Sequence, residues 1–215
     1  MKSYKSLLLP VVLAITLASC GKDEMAKPDV IPEMPTTKPP EPTNGASKIE
    51  GTWTFVGLRL TVTSTATVGN EKAVTYTDYT TFNNAGTTVI EATKMTLTGF
   101  TYAIDAVSKT KYYLDGVLDD EWEVPVKVIL SPYNGTSTYK QISTDSIYYE
   151  AGFIQASDGS ATPQKSDAIG STISWLGDTL VITSNPIKTS KMIQNGVTVD
   201  VASSGRSEMK MVRKK

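Results

Sequence analysis

Apolar and polar residues alternate along most of the chain beyond residue 48. From Glu121 to Leu130, Trp122, Val124, Val126, Val128 and Leu130 share one parity, and Glu121, Glu123 and Lys127 share the other. A period of two sends successive side chains to opposite faces of a sheet, so this stretch predicts a half-buried strand. Pro125 interrupts it and cannot donate to a central ladder, which assigns the strand to an edge or a bulge. Thr52–Val62 alternates too, with Val56, Leu58, Leu60 and Val62 expected on one face and Trp53, Phe55 and Arg59 on the other. Ala73–Phe82 is rich in threonine and tyrosine, which suit a pleated surface better than a helix. Further strands are expected over Thr88–Leu97, Phe100–Ile104, Lys111–Leu114, Ser146–Phe153, Thr172–Leu176, Asp178–Ser184 and Ile193–Val201. The last, Glu208–Arg213, sets Met209 and Met211 against Glu208, Lys210 and Arg213, and Arg213-Lys214-Lys215 ends as a solvated tail.

Turn chemistry fits this map. Gln194-Asn195-Gly196-Val197 is a type I′ hairpin signal between apolar flanks. Asp115-Gly116, Asn134-Gly135 and Asp158-Gly159 mark further turns, and the small polar residues 155–171 read as a long surface loop. No window of helical length keeps a 3.6-residue period. Many short strands joined by turns predict an all-β, antiparallel barrel, with a β-sandwich as the alternative.

The first 48 residues follow other rules. Lys2 and Lys5 precede the uncharged apolar run Leu7–Leu17, and Ala18-Ser19-Cys20 follows. A basic start, a short apolar stretch and small residues form a secretory signal. The run is too short to span a bilayer, which needs about 20 apolar residues. Residues 21–48 hold Pro28, Pro32, Pro35, Pro39, Pro40 and Pro42 and no aromatic side chain. Such a segment buries too little apolar surface to offset its ordering entropy, and its prolines favour extended polyproline II. The expected organisation is therefore a signal over 1–19, a disordered linker over 20–48 and one β domain over 49–215.

Composition narrows the function. The chain has 21 Lys+Arg, 22 Asp+Glu, no histidine and one cysteine. A formal net charge of −1 argues against a nucleic-acid partner, which needs a basic stripe. Without histidine there is no Ser-His-Asp triad and no His-ligated metal. A single cysteine excludes an intramolecular disulfide and CxxC chemistry.

Leu17-Ala18-Ser19-Cys20 resembles the lipobox of bacterial lipoproteins. That resemblance implies cleavage before Cys20, acylation of Cys20 and a membrane anchor. Lys22-Asp23-Glu24 resembles the signal that exports lipoproteins to the cell surface in some Gram-negative bacteria. It implies an outer-membrane protein displayed outside, with the periplasmic face as the alternative. In the domain, Gly51-Thr52-Trp53 resembles the start of the first strand of lipocalins and of lipocalin-like domains in bacterial surface lipoproteins. Gly177-Asp178-Thr179-Leu180-Val181-Ile182 and Ser207–Val212 resemble their late and closing strands. The resemblance implies a barrel whose closed end Trp53 plugs, with its last strand beside its first. Arg213 is the candidate for the arginine that packs on that tryptophan.

No motif marks a catalytic residue, and no metal or cofactor is expected. Asp115–Glu123 is the densest acidic run, but it lacks the spacing of a Ca²⁺ loop and reads as a solvated loop entering a strand. A carboxylate pair for glycoside hydrolysis has no local signature. Tyr112-Tyr113 and Tyr148-Tyr149 each split across two faces of a strand, so one of each pair can meet a ligand. Trp122 and Tyr148 are the candidate ligand-binding residues. The expected function is a non-catalytic binding domain for a small or hydrophobic ligand, with a glycan- or protein-binding sandwich module as the alternative.

Overall fold

The computed structural model describes residues 49–150, 168–194 and 196–214. The described residues form eleven antiparallel strands and no helix: β1 (Gly51–Val68), β2 (Glu71–Thr80), β3 (Phe82–Ile90), β4 (Lys94–Leu114), β5 (Val117–Ile129), β6 (Tyr133–Ser143), β7 (Ser146–Tyr149), β8 (Ile169–Leu176), β9 (Thr179–Ser184), β10 (Ile187–Gln194) and β11 (Val197–Arg213). The signal, Cys20, Lys22-Asp23-Glu24, the proline-rich linker and most of the expected 155–171 loop lie outside the described residues.

Three pairs of strands are halves of one bent strand. β2 lies along the far half of β1 and β3 along its start. β5 and β6 share one edge of β4, β5 along Ala103–Leu114 and β6 along Lys94–Phe100. β9 and β10 divide β11 in the same way. Each bend has a local cause. Asn83 and Gly86, both at positive φ, separate β2 from the regular part of β3. Pro132 and Pro186, which have no N–H to give a ladder, stand between the other halves.

These bends create two levels. At the first, β1, β3, β4, β6, β7, β8, β9 and β11 pair in turn, and β11 returns to β1 from Trp53↔Arg213 to Thr67↔Asp200. The sheet thus closes into a ring. Beyond it the wall continues as an open run, β5-β4-β2-β1-β11-β10, in which β5 and β10 each have a partner on one side only. The result is a ring with a flared, unclosed end, not a regular barrel. The first and last strands pair along their length, which overturns the sandwich alternative.

The ring is filled by Trp53, Phe55, Leu58, Phe100, Tyr102, Tyr139, Leu180, Met209, Met211 and their neighbours. Phe55 and Phe100 stack with centroids 4.2 Å apart, and Phe100 meets Tyr102 edge to face. A smaller apolar cluster, Ala66, Ala73, Tyr112, Val199 and Val201, lies in the flare. Hydroxyls separate the two. Thr75 bonds Thr110 at 2.9 Å, Thr77 bonds Ser108 at 2.7 Å and Ser64 bonds Ser203 at 2.9 Å. Each pair satisfies itself inside the molecule, which spares it the cost of an orphaned buried hydroxyl.

Several expectations need correction. A bulge between Phe55 and Gly57 turns Val56 outward, so Trp53, Phe55 and Leu58 all face inward and the expected split of β1 fails. Thr88–Leu97 is two strands, broken where Glu91 and Lys94 exchange backbone bonds. Phe100–Ile104 and Lys111–Leu114 are parts of the single long β4. Asn134-Gly135 is not a turn: it lies in β6, where the Asn134 side chain accepts from the Gly99 amide at 2.8 Å. Arg213 is neither a tail residue nor on the Glu208 face, as the plugged end makes clear.

Candidate functional site

The plugged end is built from the two chain ends of the domain. Trp53 is fully buried, its indole N–H donates to the Ile49 carbonyl at 2.8 Å, and its ring packs on Trp175 at 5.8 Å. The Arg213 guanidinium lies over the Trp53 ring, 4.6 Å from its centroid. Gly51, at φ 136°, makes room for it: a Cβ there would come within 2.8 Å of the guanidinium. Arg213 has the parity of Met209 and Met211, and at the end of β11 it caps the Trp53 ring while staying exposed to solvent. A tryptophan between an arginine and apolar side chains is held by cation–π attraction as well as packing.

The flared end is different. Its inner face can be read in rows across the strands. The outermost row runs Leu114, Glu71 and Val68, and Val199 with Met192 continues it on β11 and β10. The next holds Tyr112, Ala73, Ala66, Val201 and Ser190. The third holds Trp122, then the hydroxyls of Thr110, Thr75, Ser64 and Ser203, then Lys188. Trp122 and Met192 are half-buried and pack on the apolar cluster from the two unpaired edges. The inner face between those edges is therefore apolar and aromatic, over a hydroxyl floor.

Two charged groups stand on it, Lys188 in the third row and Glu71 in the outermost. Glu71 is only 6% exposed, and its Oε2 has no hydrogen-bond partner. The Tyr112 hydroxyl bonds to the Glu71 carboxylate. Burial, then that bond and the charges of Glu71 and Asp119, hold the Tyr112 phenol far above its ordinary range. Two other buried polar atoms lack a partner, Tyr79 Oη and Thr88 Oγ1, both within the ring. Burial alone drives the Tyr79 phenol up.

Of the candidate ligand residues, Trp122 lies on this inner face and Tyr148 does not. Tyr148 is 40% exposed on the outer surface, while its neighbour Tyr149 is buried and its hydroxyl contacts the Met95 sulfur at 3.2 Å. Tyr112 and Tyr113 divide likewise: Tyr112 faces in, and Tyr113 meets Lys72 outside, 5.8 Å from ring centroid to Nζ. The acidic run 115–123 is solvated. Asp115 bonds Asn70 across two turns and Glu123 pairs with Lys109 at 3.0 Å. Among the described residues no three His, Cys, Asp or Glu side chains gather as metal ligands would. Sequence reading missed Glu71 because it began the strand at Ala73. Parity with Ala73, Thr75 and Thr77 was the available signal, since it places Glu71 on the buried face.

Scanned against protein-family models, curated proteins and solved structures, the chain matches none of them.

Proposed function

We propose that this protein is a lipoprotein anchored through Cys20 in the outer membrane and displayed at the cell surface by Lys22-Asp23-Glu24. Its domain is of lipocalin-like type, is not catalytic, and binds a small, largely apolar ligand at the flared end. The observation that carries the binding role is the half-buried, apolar inner face between the unpaired edges of β5 and β10, with Trp122 and Met192 at its two sides. Concave apolar surface with a few polar groups is the common make-up of ligand sites. The likeness to lipocalins gains support from Gly51, Trp53 and Arg213 meeting at the closed end and from the pairing of β1 with β11.

Two measurements test the two halves. Cys20→Ala should move the protein from the membrane to the soluble fraction, because three acyl chains on one residue provide the anchor and one chain alone gives only marginal binding. A variant that still sediments with membranes refutes the anchor. Separately, an environment-sensitive apolar fluorophore titrated into the full chain should bind saturably and be displaced on Trp122→Ser. No saturable binding refutes the ligand site.

A further inference from the structure

We propose that the ligand of the flared end carries a protonated amine, and that Glu71 receives it. The inference rests on the reading of that face as an apolar ligand site and names the head group the site is built for.

Glu71 is the point of departure. A carboxylate flanked in its row by Val68 and Leu114, with Ala73 behind it, is a poor tenant of such a place. Charges are tolerated in apolar surroundings when they are paired and hydrogen-bonded. Here Tyr112 serves the carboxylate and Oε2 has no partner at all. What completes the group is a donor brought from outside, and a cationic donor completes the charge as well.

The surroundings favour an organic cation over a metal ion. Metal ions of the Ca²⁺ type ask for six to eight oxygens, and among the described residues no three acidic side chains are placed to hold one. Instead, aromatic rings stand nearby: Tyr112 bonded to Glu71 itself, and Trp122 packed on the same cluster. An ammonium beside a carboxylate and aromatic faces gains from both. Asp119 lies close enough to act on the Tyr112 hydroxyl and adds negative field at the rim. The cations near this end are otherwise engaged: Lys72 lies on the outer face against Tyr113, and Lys191 pairs with Asp200 at 3.0 Å. Lys188 sits two rows from Glu71 on the inner face, in the row of Ser203. An alkyl chain attached to the amine would then run along the apolar cluster that Trp122 and Met192 flank. The ligand class is an amphiphilic primary amine.

The test compares octylamine with octanol, which share a tail and differ in the charged head. The full chain, kept free of lipid by Cys20→Ala, is titrated with each at neutral pH. Octylamine should bind about tenfold tighter or more, as expected for a charge-assisted bond to a buried acceptor. Glu71→Gln, checked for unchanged circular dichroism, should erase that advantage. In the unaltered chain the Glu71 carboxyl carbon resonance should shift with octylamine and stay put with octanol. Equal affinity for the two ligands, an amine preference that survives Glu71→Gln, or an unmoved carboxyl resonance overturns the amine head while leaving the apolar site standing. Binding of neither compound overturns both.

Discussion

A buried hydroxyl without a partner destabilises the fold that contains it, and Thr88 is the cleanest case. It is fully buried between Trp53 and Leu97, and its Oγ1 bonds to nothing. Valine has nearly the same shape without the polar atom. Removing an unsatisfied hydroxyl recovers its desolvation penalty, so Thr88→Val should raise stability by about 1 kcal/mol. Thermal or urea unfolding would register this as a higher midpoint, and a lower midpoint would mean that the hydroxyl has a partner in solution. Glu71 is orphaned in the same sense, but it stands at the flared end, on the inner face proposed above as the ligand site. Thr88 lies in the filled ring.

Individual strands show how far the sequence could be read. Period-two alternation identified most of the strands, because half-buried β-segments record burial in every second side chain. Pro125 was rightly assigned to an edge: β5 pairs with β4 alone. The Leu130 amide bonds to Tyr102, so even-numbered residues of β5 point their N–H groups at β4 and the Pro125 nitrogen faces the free side. Proline there leaves a gap in the row of donors that an approaching strand would need. Pro125→Thr should therefore keep the fold and increase self-association, read as a shift to larger species in sedimentation; a chain that stays monomeric at high concentration would show that the edge is guarded otherwise. What alternation could not show was the bulge at Val56, which flips parity in mid-strand. Nor could it join Phe100–Ile104 to Lys111–Leu114. Between them Asp105, Val107 and Lys109 face outward and Ala106, Ser108 and Thr110 inward, and small or hydroxylated inner residues weaken the contrast from which a strand is recognised. The face that holds Glu71 was legible only in part, since Trp122 announced itself by aromaticity while a lone glutamate beside a turn did not.

Across the whole molecule, buried phenols in the ring resist ionisation. Burial first, then neighbouring phenols, hold Tyr102 and Tyr149 far above their usual range, and burial with the Glu50 charge pushes Tyr139 up to about 12. An unfolded tyrosine ionises near pH 10. Since the folded values lie higher, the protonated fold is favoured fully below about pH 10, and this support fades as pH rises through 12. Stability should hold from neutral pH to about 10 and fall above it, with phenolate absorbance and loss of circular dichroism appearing together. Phenolate formation well before unfolding would show that these tyrosines are wet. The closed ring has one more consequence. Because β1 starts at the Trp53 plug and β11 finishes there, with the Lys214 amide bonded to the Thr52 carbonyl at 2.9 Å, both ends of the domain leave by the same pole. The residues ahead of Ile49 therefore join the domain at its plugged end. The flared face lies at the opposite pole from both of these ends.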